Sequence, residues 1–147
     1  MTNHVPLDNV AHKDLRIRRE YTKALGYGMH VAAVVPGELG QIQSEYPTFF
    51  LKTGDPERYE LIALLGFEKG QNLYLGDRDW EARYVPMSIR RIPFAIGFQE
   101  ATEEGRPVEK PVVHIDLDHP TVSETDGAPL FLSQGGESPF LQEVTET

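Results

Sequence analysis

The sequence predicts an α+β fold: an antiparallel β meander forming a partly closed sheet, with two short helices and an irregular acidic C-terminal tail. Three observations carry this expectation. Apolar and polar residues alternate over short runs, the period of a half-buried strand. Turn-forming Gly, Pro and Asp residues separate those runs. Helical spacing occurs in two short stretches, each closed by a proline. The chain has 147 residues, 39% of them hydrophobic and 25% charged. That is the length of one domain, or of one domain with a short tail, and the composition of a folded chain outside the membrane.

Residues 1–11 are polar and read as an extended arm. From Asp14 to Arg19, Leu15 and Ile17 alternate with Arg16 and Arg18, which predicts a strand. Tyr21 to Gly28 holds two glycines and reads as a turn region, and Met29 to Val35 as a buried strand ended by Pro36 and Gly37. Leu39, Ile42 and Tyr46 share helical spacing, so Glu38 to Tyr46 is expected to be a short helix stopped by Pro47. Thr48 to Lys52 and Tyr59 to Phe67 read as a hairpin across Gly54, Asp55 and Pro56. Asn72 to Leu75 and Trp80 to Val85 are predicted strands flanked by turns. Pro86 suits the first position of a helix running to about Arg91, which Pro93 ends. Phe94 to Gln99 and Pro111 to Leu117 are the last predicted strands, with Glu100 to Lys110 a charged loop. Beyond His119 two apolar patches remain, Pro129 to Leu132 and Phe140 to Leu141, set among Gly, Ser and Glu. The expected division is therefore one α+β domain over 1–119 and an acidic tail over 120–147 whose apolar patches can dock.

The net charge of −9 is unevenly placed. Residues 1–94 are balanced at 12 Lys+Arg against 12 Asp+Glu, whereas residues 95–147 hold 2 against 11. Such a segment suits a solvated, partly flexible surface, or an acidic one for a basic partner or a cation. It argues against nucleic acid, whose phosphates need a concentration of Lys and Arg. The absence of cysteine excludes disulfides, thiolate zinc sites, Fe–S clusters and cysteine nucleophiles. No apolar run approaches the roughly 20 residues of a membrane span. Met1 to Lys13 lacks an apolar signal core, so the expected location is cytoplasmic.

Three groups of residues could carry chemistry. In His114-Ile-Asp116-Leu-Asp118-His119, residues 114, 116 and 118 share one face of a strand. His114 and Asp116 could contribute to a divalent metal site, iron or zinc, and an H-x-D pair begins the two-His-one-carboxylate set of non-haem iron oxygenases. His119 is too near in sequence to supply the remote histidine, which leaves His4, His12 and His30. No Lys or Arg follows Lys110 to hold an oxoacid. The plainer reading is an acidic strand face ending in a histidine. Arg90 and Arg91 point about 100° apart on a helix, so the pair suits one internal bond and one surface charge, or else recognition of a carboxylate by an Arg fork. Trp80, Tyr74, Tyr84, Phe94 and Phe98 are dense enough to line a groove for a small molecule or peptide, although aromatics more commonly form core. No serine lies in G-x-S-x-G, and no glycine run makes a dinucleotide or phosphate loop. No catalytic residue is assigned.

Several stretches together resemble one bacterial family. His30-Val-Ala-Ala-Val-Val35 leads through Glu38-Leu39 to Ser44-Glu-Tyr-Pro47. Ala63-Leu-Leu-Gly-Phe67 and Gly70-Gln-Asn-Leu-Tyr-Leu75 follow, then Trp80, Ala82-Arg-Tyr-Val-Pro86 and Arg90-Arg-Ile-Pro-Phe94. Pro129-Leu-Phe131 precedes Pro139-Phe-Leu-Gln142. In order and spacing the chain resembles the SapC family over about residues 12–142. The resemblance implies a SapC-like domain and a link to bacterial surface-layer proteins, TonB-dependent receptors and neighbouring oxygenase-like proteins. It supplies no catalytic residue. Related chains are expected to continue past Pro139-Phe-Leu-Gln142 into a helical part. The function it suggests is a non-catalytic binding or assembly protein linked to the envelope, surface layer or TonB-dependent uptake, with a protein partner and peripheral envelope association. Its motif residues Trp80, Arg83, Tyr84, Arg90, Arg91 and Phe94 form the candidate partner surface. The alternatives are a metal-dependent, hydroxylase-like enzyme using His114 and Asp116, and a small-molecule or peptide binder with an aromatic groove.

Overall fold

The structure is a computed structural model and describes residues 2–146. In chain order its strands and α-helices are β1 (His4–Pro6), β2 (Arg16–Ile17), β3 (Val31–Ala33), α1 (Leu39–Ile42), β4 (Thr48–Thr53), β5 (Arg58–Leu64), α2 (Met87–Arg90), β6 (Phe94–Glu103), β7 (Arg106–Asp116), β8 (Val122–Ser123), β9 (Ala128–Pro129) and α3 (Pro139–Thr145). The fold is α+β. Among the described residues the strands form three antiparallel three-stranded sheets, in the orders β1-β7-β6, β8-β2-β9 and β3-β5-β4, and none is closed.

The chain separates into two compact units. An inserted unit comprises Glu20–Arg90, and an outer unit comprises the chain up to Arg19 together with the chain from Arg91 onward. The boundary expected at 119/120 has no counterpart in this division. Residues 120–146 instead build β8, β9 and α3 of the outer unit, where Leu130 and Leu141 are buried beside Ile17, Phe94 and Ile115. Ile17 lies on the central strand β2, flanked by β8 and β9, so the acidic segment closes over an N-terminal strand. α3, a third helix, starts at Ser138, whose hydroxyl accepts from the Leu141 N–H, with Pro139 at the first helical position. The acidity of the segment stays on its exposed side, at Glu124, Asp126, Glu137, Glu143 and Glu146.

The expected charged loop at 100–110 is instead the far end of the β6–β7 hairpin, which pairs from Phe94↔Ile115 to Glu103↔Arg106. Glu104 and Gly105, both at positive φ, make its tight turn. The ladder is local, so it tolerates charged side chains on a ribbon with both faces wet.

In the inserted unit the predicted hairpin is present as β4 and β5, and β3 pairs with the other side of β5. The core holds Ala32, Val34, Ile42, Tyr46, Ile62, Ala63, Leu65, Trp80 and Ile89. The expected strands at Asn72–Leu75 and Trp80–Val85 are absent; this stretch runs as turns and bends, with one bridge between Leu75 and Trp80. Gly66 allows the loop to fold back on itself, since a Cβ there would lie 2.2 Å from the Gln71 carbonyl oxygen.

Candidate functional site

The segment Arg83–Met87 has no strand partner, so its backbone groups must be bonded some other way. Two glutamates do this. Glu38 and Glu45 stand seven positions apart, two helical turns, and both turn toward this segment. Glu38, 3% exposed, accepts from the Met87 N–H at 2.8 Å, the Tyr84 hydroxyl at 3.2 Å and the Val35 N–H at 3.1 Å. One carboxylate thus ties the start of the turn Pro36–Glu38 to the start of α2. Glu45 accepts from the Arg83 and Tyr84 N–H groups at 2.9 and 3.0 Å.

The aromatics complete the corner. Trp80 Nε1 donates to the Tyr46 hydroxyl at 2.6 Å, and that hydroxyl donates to the Tyr84 carbonyl. Tyr74 donates to the Glu45 carbonyl at 2.8 Å, and its ring stacks on Trp80 at 6.1 Å. Tyr21 meets Trp80 edge-on at 5.7 Å. Arg90 donates to the Val85 carbonyl and to the Tyr84 hydroxyl, with its guanidinium 5.1 Å from the Tyr84 ring centre. Among the described residues, no buried side-chain nitrogen or oxygen lacks a partner.

The six residues of the predicted partner surface therefore fall into different roles. Trp80 is buried under other rings, which counts against an open aromatic groove. Tyr84 is half-buried in the hydrogen-bond network, while Arg83 and Arg90 are exposed. Arg91 and Phe94 belong to the outer unit, where Phe94 is core and packs on Phe140. Of the wider aromatic set, Tyr74 sits with Trp80, whereas Phe98 is exposed on β6. Glu38 and Glu45 were missed at the sequence level. The sequence cue was their seven-residue spacing, which is uninformative until the segment they serve is known.

The metal candidates do not converge. β7 ends at Asp116, so Asp118 lies beyond the strand and does not share its face. The Asp116 Oδ1 accepts from the Asn3 and Asp118 N–H groups. Burial opposes ionisation of Asp116, but those two amides, with His4 and His119 nearby, hold its carboxyl below the usual value. The His114 ring lies over Gly97, where a Cβ would stand 2.4 Å from its Cε1, and its Nδ1 faces the Val112 carbonyl at 3.1 Å. Among the described residues no three His, Asp or Glu side chains could hold one ion. This donor set does not fit a resident iron or zinc.

With this geometry in place, the SapC family model matches residues 7–147. The chain belongs to the SapC family. No curated protein and no solved structure matches it. Among the described residues of this SapC chain, no helix is long and apolar enough to cross a membrane.

The network makes a pH prediction. Burial pushes the Tyr46 phenol up to about 12, against the opposing hydrogen bond from Trp80. An unfolded tyrosine ionises near 10. The folded value is the higher one, so the stability Tyr46 contributes is complete below about pH 10 and is lost as pH rises toward 12. Urea unfolding followed through the single Trp80 should show this alkaline loss, and it should be smaller in Tyr46→Phe. An identical alkaline loss in both proteins would refute the assignment.

Proposed function

We propose that this SapC-family chain is a non-catalytic binding and assembly protein, linked to the bacterial envelope, its surface layer or TonB-dependent uptake. Its partner is a protein, met at Arg83 and Arg90. The observation that supports this reading is the division of labour in the corner. The inward polar groups bond the chain to itself, which makes a rigid seat; Arg90 donates into that network from its exposed position, and Arg83 is exposed beside it. Guanidinium groups held on a rigid element suit the carboxylates of a partner segment, through short charge-assisted bonds. The envelope link rests on what the family resemblance implies. A cytoplasmic chain that associates peripherally with the envelope is the location this reading takes.

The test is affinity capture with the tagged full chain, run separately on cytosolic and envelope fractions. We expect a protein recovered from the envelope fraction, reduced about tenfold or more by Arg83→Ala/Arg90→Ala, since one charged hydrogen bond is worth at least that factor. Equal recovery by the variant would remove the arginines from the interface. Recovery of nothing from either fraction would overturn the partner reading.

A further inference from the structure

β4 is the edge of its sheet, because among the described residues β5 is its one strand neighbour. The register fixes which of its backbone groups are free. The Leu64 N–H donates to the Pro47 carbonyl, and Pro47 and Leu64 extend the pairing Thr48↔Ala63, Phe49↔Ile62. Hydrogen-bonded pairs alternate along an antiparallel ladder. Residues 47, 49, 51 and 53 therefore bond toward β5, and the N–H and C=O groups of Thr48, Phe50 and Lys52 point outward.

Natural edge strands are guarded by charges, prolines or bulges. Thr48–Thr53 has no proline, and its single charge, Lys52, is ion-paired to Glu57 on the same hairpin. Its apolar side chains are bare on both faces: Phe50 is 73% exposed, Phe49 53% and Leu51 42%, with Tyr59 of β5 64% exposed beside them.

We propose that β4 pairs antiparallel with β4 of a second copy of this chain, about a two-fold axis through Phe50, giving a continuous six-stranded sheet. The occupant follows from self-complementarity. In this register Phe50 stands opposite Phe50 of the second copy, Thr48 opposite Lys52, and Phe49 opposite Leu51. All outward backbone groups then find partners, and each pair lies on one face, as pleating requires. No like charges meet, because each Lys52 faces a threonine and carries its own Glu57. The net charge of −9 per copy does not oppose the contact locally, since the excess acid lies within residues 95–147. The seam is one strand edge wide and touches Phe49, Phe50 and Leu51 only laterally, so its area falls below the roughly 1,000 Å² of a stable interface and the contact is a weak, concentration-dependent one. A dimer of micromolar rather than nanomolar affinity is expected.

The absence of cysteine makes the register directly testable. Hydrogen-bonded antiparallel partners have Cα atoms about 5.5 Å apart, within disulfide reach. Positions 48 in the two copies would be four residues apart along the ladder, about 13 Å. We expect the purified full chain to sediment as a dimer at about 100 µM, Phe50→Cys to cross-link between copies on mild oxidation, and Thr48→Cys to remain uncross-linked. Phe50→Lys, a surface change that sets two like charges opposite each other, should give a monomer. The proposal is overturned if the wild type is monomeric at that concentration, if Phe50→Lys dimerises as the wild type does, or if Thr48→Cys cross-links as readily as Phe50→Cys. A chain monomeric when pure but shielded at β4 in extracts would assign the edge to a foreign strand, and would also overturn self-pairing. Neither outcome touches Arg83 or Arg90, so this test and that of the proposed partner fail independently.

Discussion

A chain cut after His119 should lose the cooperative fold of its outer unit. The cut removes β8 and β9, the two neighbours of β2, and takes Leu130 and Leu141 out of the core, where they are 0% and 1% exposed. Emptying one buried leucine site costs about 2–5 kcal/mol. Two such losses together approach the whole stability of a domain, about 5–15 kcal/mol. The milder Leu141→Ala should cost about 3 kcal/mol by the same rule. Urea unfolding measures the single substitution, and amide exchange at Ile17 and Ile115 reads the truncation. Native-like protection at both residues in the shortened chain would show that residues 120–146 are dispensable to the core.

The second large effect is expected at Glu38. Glu38→Ala leaves the Met87 and Val35 N–H groups and the Tyr84 hydroxyl without their acceptor. Hydrogen bonds to a charged group contribute about 1.5–3 kcal/mol each, and buried donors left unmet cost more than bonds never made. A loss of about 3 kcal/mol or more follows, with Glu38→Gln falling between, since its amide oxygen still accepts. Removing the exposed Glu57 from its pair with Lys52 is a fit control, because surface pairs contribute about 0–1 kcal/mol. If chemical denaturation finds Glu38→Ala as mild as that control, the carboxylate is not what holds Arg83–Met87.

These two sites mark the limits of reading the sequence. Strand-forming runs bounded by Gly, Pro and Asp turns located β3, the β4–β5 hairpin and the cores of β6 and β7, although β4 buries neither of its faces. Trp80–Val85 has the composition of a strand but not the structure. Its backbone is bonded by the side chains of Glu45 and Tyr46, remote in sequence, and local pattern does not carry such partners. The tail looked irregular because its buried residues, Leu130 and Leu141, are isolated among polar ones and complete a core begun at Ile17. Ser138-Pro139 was a readable helix start that composition obscured. In the candidate site, exposure separated the arginines from Trp80 and Phe94, a distinction that residue type cannot make.

The discontinuous build of the outer unit also constrains how the protein is made. β2 is synthesised early, yet its neighbours at Val122–Ser123 and Ala128–Pro129 come about a hundred residues later. At about 5–20 residues per second, that is a wait of roughly 5–20 s. Glu20–Arg90 is complete within that interval, and both its ends join the outer unit. Glu20–Arg90 therefore has time to fold on its own contacts before the late strands exist to pair with the early one. Order of emergence from the ribosome and order of folding would then coincide for the insert and be reversed for the strand that precedes it.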